Sequence, residues 1–183
     1  MKYERIERAT FLERPNRFIA YARIAGKQET IHVKNTGRCA ELLVPEAEIF
    51  VQESDNPERK TKWDLIGVRK GNRLINMDSQ IPNKVVEEWL RAGNLFLEPV
   101  TVRPETTYGN SRFDFYVESG EKKAFIEVKG VTLEEDGVVR FPDAPSERAV
   151  KHMEELIRAK KEGYDAYVFL VIQMKGVRYF TPN

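Results

Sequence analysis

Two short apolar stretches, SRFDFYV at 111–117 and AFIEVKG at 124–130, carry acidic side chains where a buried strand ordinarily has none. Strand alternation sets Phe113, Phe115 and Val117 on one face of the first stretch, and Arg112, Asp114 and Tyr116 on the other. In the second, Ala124, Ile126 and Val128 share a face opposite Phe125, Glu127 and Lys129. If the strands are neighbours, Asp114, Glu127 and Lys129 converge on one patch of sheet. Two carboxylates held together out of water repel each other and lose hydration, so the arrangement asks for a cation or a shared proton. A hard divalent ion, Mg²⁺ or Mn²⁺, suits such an all-oxygen site, and a lysine beside it suits a phosphodiester substrate.

The elements around these stretches follow a definite order. Pro82, after Asp78-Ser79, opens an expected helix that ends at Gly93, with Val85, Val86, Trp89 and Leu90 as its apolar stripe and Asn83 and Glu87 together on its flank. Strands are expected near 95–102, 111–118 and 123–129, then a hairpin over 131–141 turning at Asp136-Gly137. A second helix over 145–161, with Ala149, Val150, Met153, Leu156 and Ile157 inward, feeds the apolar strand 166–172. Helix, three strands, helix, strand, with an aspartate on one central strand and E-x-K on the next, is the core pattern of the PD-(D/E)xK nuclease fold. Ahead of it, expected strands at 5–12, 17–25, 28–34, 47–53, 62–69 and 73–77 are separated by turn signals such as Asn35-Thr36-Gly37 and Asn56-Pro57. With a helical turn near Cys39–Leu43, they suit a small OB-like barrel. The expected domains are therefore 1–80, OB-like, and 81–183, an α/β nuclease-like domain.

Composition narrows the classes further. The 183 residues carry 30 Lys+Arg and 29 Asp+Glu, and the longest apolar run, 166–172, is too short to span a bilayer. The amino terminus alternates charged and apolar residues, unlike a signal core, so a cytoplasmic protein without a membrane partner is expected. One cysteine, Cys39, and two histidines, His32 and His152, exclude an intrachain disulfide and a zinc cage. Residues 1–38 hold 9 basic against 4 acidic side chains, a mild basic excess at the front.

The segments HVKNTGR at 32–38, SDNPERK at 54–60, YGNSRFDF at 108–115, EVKGVTL at 127–133 and FPDAPSERAVKH at 141–152 together resemble the sugar fermentation stimulation protein A family over essentially the whole chain. The resemblance implies an N-terminal OB-like domain, a PD-(D/E)xK nuclease-like domain and DNA binding. It places the nuclease-like core on Asp114, Glu127 and Lys129 and offers Glu87 as a further ligand. Chains of this family continue beyond the YFTP segment into another helix and strand, so a short or truncated member is expected here.

The resulting functional expectation is a protein that binds DNA without sequence specificity and carries a Mg²⁺- or Mn²⁺-dependent phosphodiesterase centre. Asp114 and Glu127 hold the metal, the Val128 carbonyl and Glu87 complete its shell, and Lys129 orients water or stabilises charge on the phosphate. Arg38, Arg59, Lys60 and Lys62, the last beside Trp63, are the expected nucleic-acid contacts of the front half. Arg112 and, at the start of the second helix, Arg148, Lys151 and His152 are those of the back half. Two alternatives stay open: a DNA-binding regulatory protein with a silent nuclease fold, and a protein-interaction adaptor.

Overall fold

In the computed structural model, which describes residues 1–35, 37–96 and 99–183, the chain divides into two compact units. The first comprises 1–80, 131–143 and 172–183; the second comprises 81–130 and 144–171. The expected boundary near residue 80 is present, but 81–183 is not one continuous domain, because two of its segments fold with the first unit.

The first unit is a barrel of β1 (Ile6–Glu13), β2 (Ile19–Ile24), β3 (Lys27–Val33), β4 (Glu48–Glu53) and β5 (Trp63–Lys70), extended by β6 (Arg73–Asn76). β1 pairs antiparallel with β2 and β4, β2 with β3, and β4 with β5. The parallel pairing of β3 with β5, Ile31 opposite Trp63 and Val33 opposite Leu65, closes the ring of five. Alternation buries Phe11, Ala20, Ala22, Ile31, Ile49, Val51 and Leu65 in its interior, and closure leaves few unpaired strand edges. The turn expected near Cys39 forms: the amides of Leu42 and Leu43 both donate to the Cys39 carbonyl. The Arg14 guanidinium braces the preceding loop, donating to the carbonyls of Arg17, Asn35, Gly37 and Arg38 at 2.7–2.8 Å. Thr36 of the expected turn there lies outside the described residues.

The expected hairpin is β10 (Leu133–Glu135) and β11 (Val138–Phe141). Its connecting Asp136 and Gly137 both have positive φ, +50° and +83°, the backbone that favours Asp-Gly in a two-residue hairpin turn. A strand not foreseen, β13 (Tyr179–Pro182), pairs parallel with β11.

In the second unit, β12 (Asp165–Ile172), β9 (Lys122–Val131), β8 (Ser111–Ser119) and β7 (Thr101–Tyr108) form a four-stranded sheet in that order, accompanied by helices α1 (Ile81–Arg91) and α2 (Glu147–Lys161). α1 faces a core of Phe115, Val117, Ala124, Ile126 and Val128, and α2 a second core of Phe113 and Phe125. The strand expected at 95–102 is displaced to β7, and Leu97 and Glu98 within the expected span lie outside the described residues. Pro104 masked the real strand in the sequence; an edge strand tolerates it because one side of its backbone has no ladder to complete. The helical stripes are also narrower than expected. Val85 and Trp89 on α1 and Val150 and Ile157 on α2 are exposed, while Val86, Leu90, His152, Leu156 and Ala159 face inward. Ser146 caps α2, its hydroxyl accepting from the Ala149 amide.

Candidate functional site

The central strands β8 and β9 pair antiparallel, with Phe115 opposite Ile126, Tyr116 opposite Phe125 and Val117 opposite Ala124. Beyond Phe115 the ladder gives way to a side chain: the Val128 amide donates to Asp114 Oδ2 at 2.7 Å. The other oxygen, Oδ1, accepts from Asn83 Nδ2 on α1 at 2.8 Å. Asp114 therefore points toward α1, as Phe115 does, and Phe113 turns to the α2 core. This corrects the expected alternation, which grouped Phe113 with Phe115 and Val117. The ladder is interrupted there: on β7, Pro104 pairs with Phe115 and Thr106 with Phe113 in one register, while Glu105, at φ +51°, and Asp114 opposite it are both left unpaired. Burial and the nearby Glu127 charge push the Asp114 carboxyl above the ordinary range, partly offset by the bonds from Val128 and Asn83 and by the Lys129 charge.

Glu127 is 3% exposed. Its Oε1 accepts from Lys129 Nζ and lies 2.7 Å from His152 Nδ1 on α2, whereas its Oε2 is buried without a hydrogen-bond partner. A buried carboxylate oxygen left bare costs free energy unless a proton or cation meets it. The charges of Glu127 and Lys129 reach Asp114, although Asp114 is bonded to Asn83 on α1 and Glu127 to His152 on α2. Two partners that sequence reasoning placed elsewhere join them. Asn83 had been matched with Glu87, and His152 with a phosphate. The only signal for either was its type: a carboxamide and an imidazole on helices otherwise turned to the core.

The remaining expected residues are distributed differently. Glu87 accepts from Arg91 Nη2 at 2.7 Å and Nε at 3.0 Å, so its carboxylate is engaged by the next turn of α1. Arg112 is exposed, 3.5 Å from Glu105. Arg148 is exposed, and Lys151 Nζ donates to the Asn110 carbonyl. Among the described residues, no group of three or more His, Cys, Asp or Glu side chains is assembled to hold a metal. The Asp114 and Glu127 carboxylates are hard oxygen donors, the type that suits Mg²⁺ or Mn²⁺ keeping several waters.

In the first unit, Arg59 is a structural residue. It makes a two-pronged bond to Asp64, Nη1 to Oδ2 at 3.0 Å and Nη2 to Oδ1 at 2.8 Å, and adds Ser54 and Thr61. Asp64 also meets His32 Nδ1 at 3.0 Å and Lys34 Nζ at 3.4 Å, and Lys34 continues to Asp78 at 3.0 Å. Burial pushes the Asp64 carboxyl up, but the bonds from Arg59 and His32 and the Lys34 charge outweigh it and hold it at about 2. Arg59, expected as a nucleic-acid contact, has one face of its guanidinium engaged by a buried carboxylate. Arg38 and Lys60 are exposed; Lys62 is also exposed, pairing with Glu53 at 3.1 Å and lying 5.0 Å over the buried Trp63 ring. Among the described residues no helix is long and apolar enough to cross a membrane.

Two family models match the chain: the SfsA N-terminal OB domain over residues 12–77, and the sugar fermentation stimulation protein RE domain over 80–183. Sugar fermentation stimulation protein homologs from Clostridium beijerinckii and Desulfitobacterium hafniense are each 63% identical to it across its full length, which spans 81% and 80% of theirs. Among solved structures, that of Pyrococcus furiosus SfsA in complex with Ca²⁺ matches with a TM-score of 0.89 and 28% identity, covering 100% of this chain and 79% of that one.

Proposed function

Starting from a chain that belongs to the sugar fermentation stimulation protein family, we propose that it binds nucleic acid and hydrolyses phosphodiester bonds at a divalent-metal centre of PD-(D/E)xK type. The observation that carries this reading is the bare, buried Glu127 Oε2 in a patch already charged by Asp114. The related Pyrococcus furiosus protein has been solved with Ca²⁺, an oxygen-seeking ion, which supports the same class of ligand here.

Asp114 and Glu127 would hold a Mg²⁺ or Mn²⁺ ion, with the Val128 carbonyl beside them. When bound, such an ion supplies Lewis acidity toward a phosphate oxygen and acidifies a coordinated water. Asn83 and the Val128 amide hold the Asp114 carboxylate in place. Lys129, whose ammonium reaches Glu127 Oε1, keeps a positive charge where negative charge grows on the phosphate. Exposed Arg38, Lys60 and Lys62 would contact the phosphate backbone, and DNA without sequence preference is the proposed partner.

A second reading, a nucleic-acid binder with a silent nuclease fold, draws on the absence of a three-ligand cluster among the described residues and on the engagement of Glu87 by Arg91. Cleavage separates the two. Single-stranded, duplex and branched substrates are incubated with Mg²⁺ or Mn²⁺ and wild type, Asp114→Ala, Glu127→Ala or Lys129→Ala. The proposal expects cutting by wild type alone, since the three act as one unit. No cutting by wild type, or full cutting by Lys129→Ala, hands the case to the silent fold.

A further inference from the structure

We infer that His152 is a positioning residue for Glu127: its imidazole Nδ1–H fixes Oε1 so that Oε2 stays turned toward the cation. The inference rests on the metal-site reading above and adds a residue from the opposite helix. An ionised glutamate only accepts, so the 2.7 Å contact makes Nδ1 the donor. His152 is 7% exposed and belongs to the inward face of α2 with Leu156 and Ala159. Beneath it lies an aromatic floor, with the Phe113 ring edge-on at 6.2 Å.

An apolar side chain would fill that place at lower cost. Burying an imidazole beside a phenyl ring is unfavourable unless it gains a hydrogen bond, and that bond goes to Glu127. Lys129 donates to the same oxygen, but from a flexible four-carbon stem that leaves the carboxylate free to rotate. The imidazole has a short stem, is buried on a capped helix and lies edge-on to Phe113, so it has less freedom. One glutamate oxygen thus takes both donors, and the other is left bare. This replaces the expectation that His152 grips phosphate beside Arg148, which is exposed while His152 is not.

The test is calorimetric titration of metal-free protein with Mn²⁺, using wild type, His152→Asn, His152→Gln and His152→Leu. An Asn carboxamide places its nitrogen near the imidazole Nδ1 position, and a Gln carries it one methylene farther. Loss of an outer-shell partner typically weakens metal affinity by about 10–100-fold, so Gln and Leu are expected to weaken binding by at least about tenfold and Asn to stay within about threefold of wild type. Equal affinity in all four, or Asn as weak as Gln, overturns the inference. A residue that merely stabilised the fold would lower melting temperature without this Asn–Gln split, and if His152→Leu fails to fold the polar pair still decides. Wild type that takes no Mn²⁺ refutes the metal reading and this inference together. Wild type that binds Mn²⁺ but cuts nothing refutes the phosphodiesterase alone, and the affinity ratios still judge His152.

Discussion

Asp114→Asn removes one charge and preserves shape, which makes it the sharpest probe of the centre. In the wild type the carboxylate accepts from Val128 N–H and from Asn83 Nδ2. A carboxamide at 114 can keep its oxygen on Val128 and present its NH₂ to Asn83, whose own carboxamide offers its oxygen after a half-turn. Both bonds survive, each worth about 1 kcal/mol. What disappears is a charge that burial and Glu127 disfavour. The metal-free melting temperature is therefore expected to equal or exceed that of wild type. Asp114→Ala instead strands the Val128 amide, costing about 1–3 kcal/mol; at roughly 2–4 °C per kcal/mol for a chain of this size, it melts about 2–12 °C lower. With Mn²⁺ at a hundredfold excess over its dissociation constant, wild type gains about 2.7 kcal/mol, or roughly 5–11 °C, and Asp114→Asn loses most of that gain. Circular-dichroism melts in chelator and in Mn²⁺ read all of these quantities. An Asn variant that melts well below wild type without metal, combined with a wild type indifferent to Mn²⁺, refutes the reasoning.

Two further predictions concern the first unit. With its folded carboxyl held at about 2 and an unfolded value near 4, Asp64 contributes stability that is complete above about pH 4 and lost as pH falls toward about 2; the ceiling is about 2.6 kcal/mol, reduced by solvent reaching the half-open His32. Urea midpoints from pH 2 to 6 should show Asp64→Asn less stable at neutral pH and flatter in acid, and parallel curves would discard the network. Replacing Arg38, Lys60 and Lys62 with alanine should weaken DNA binding alike for all sequences and reduce its salt slope by up to about 0.9 per lost phosphate contact. Arg59→Ala should instead lower the melting temperature by exposing Asp64 to an incomplete partner set; gel shifts across salt that single out Arg59 and spare the other three would reverse this assignment.

The barrel was legible because most of its strands alternate and its turns carry Asn, Asp and Gly. All six expected strands formed, within a residue or two at their ends. Periodicity also located β8, β9 and both helices, and residue type with strand alternation and the E-x-K spacing marked Asp114, Glu127 and Lys129 as candidates. What strict alternation could not foresee was the break at Asp114, where a side chain takes the Val128 amide that a neighbouring strand would otherwise engage. Pairings across long sequence separations were equally silent. Nothing local to EVKG points to His152, 25 residues on, and the run Glu58-Arg59-Lys60 reads as a solvated basic patch until Asp64 is seen beneath it. The helical stripes erred differently: a sheet offers each helix one narrow contact line, so Val85 and Trp89 on α1 and Val150 and Ile157 on α2, one position off that line, remain exposed.

The division of the chain bears on how it is made. A ribosome releases residues 1–80 first, yet the buried Glu134 that meets Lys70 and Arg73 follows more than 60 residues later, and Gln173 trails its partner Asn76 by 97. At synthesis rates of about 5–20 residues per second, Asn76 waits roughly 5–20 s for Gln173. Until Glu134 emerges, Lys70 and Arg73 lack the carboxylate that later neutralises them, and much of the second unit's sequence is made before residues 172–183 of the first. The first unit is thus begun before the second and still gains residues after position 171, so no single cut between residues 1 and 183 separates the two units.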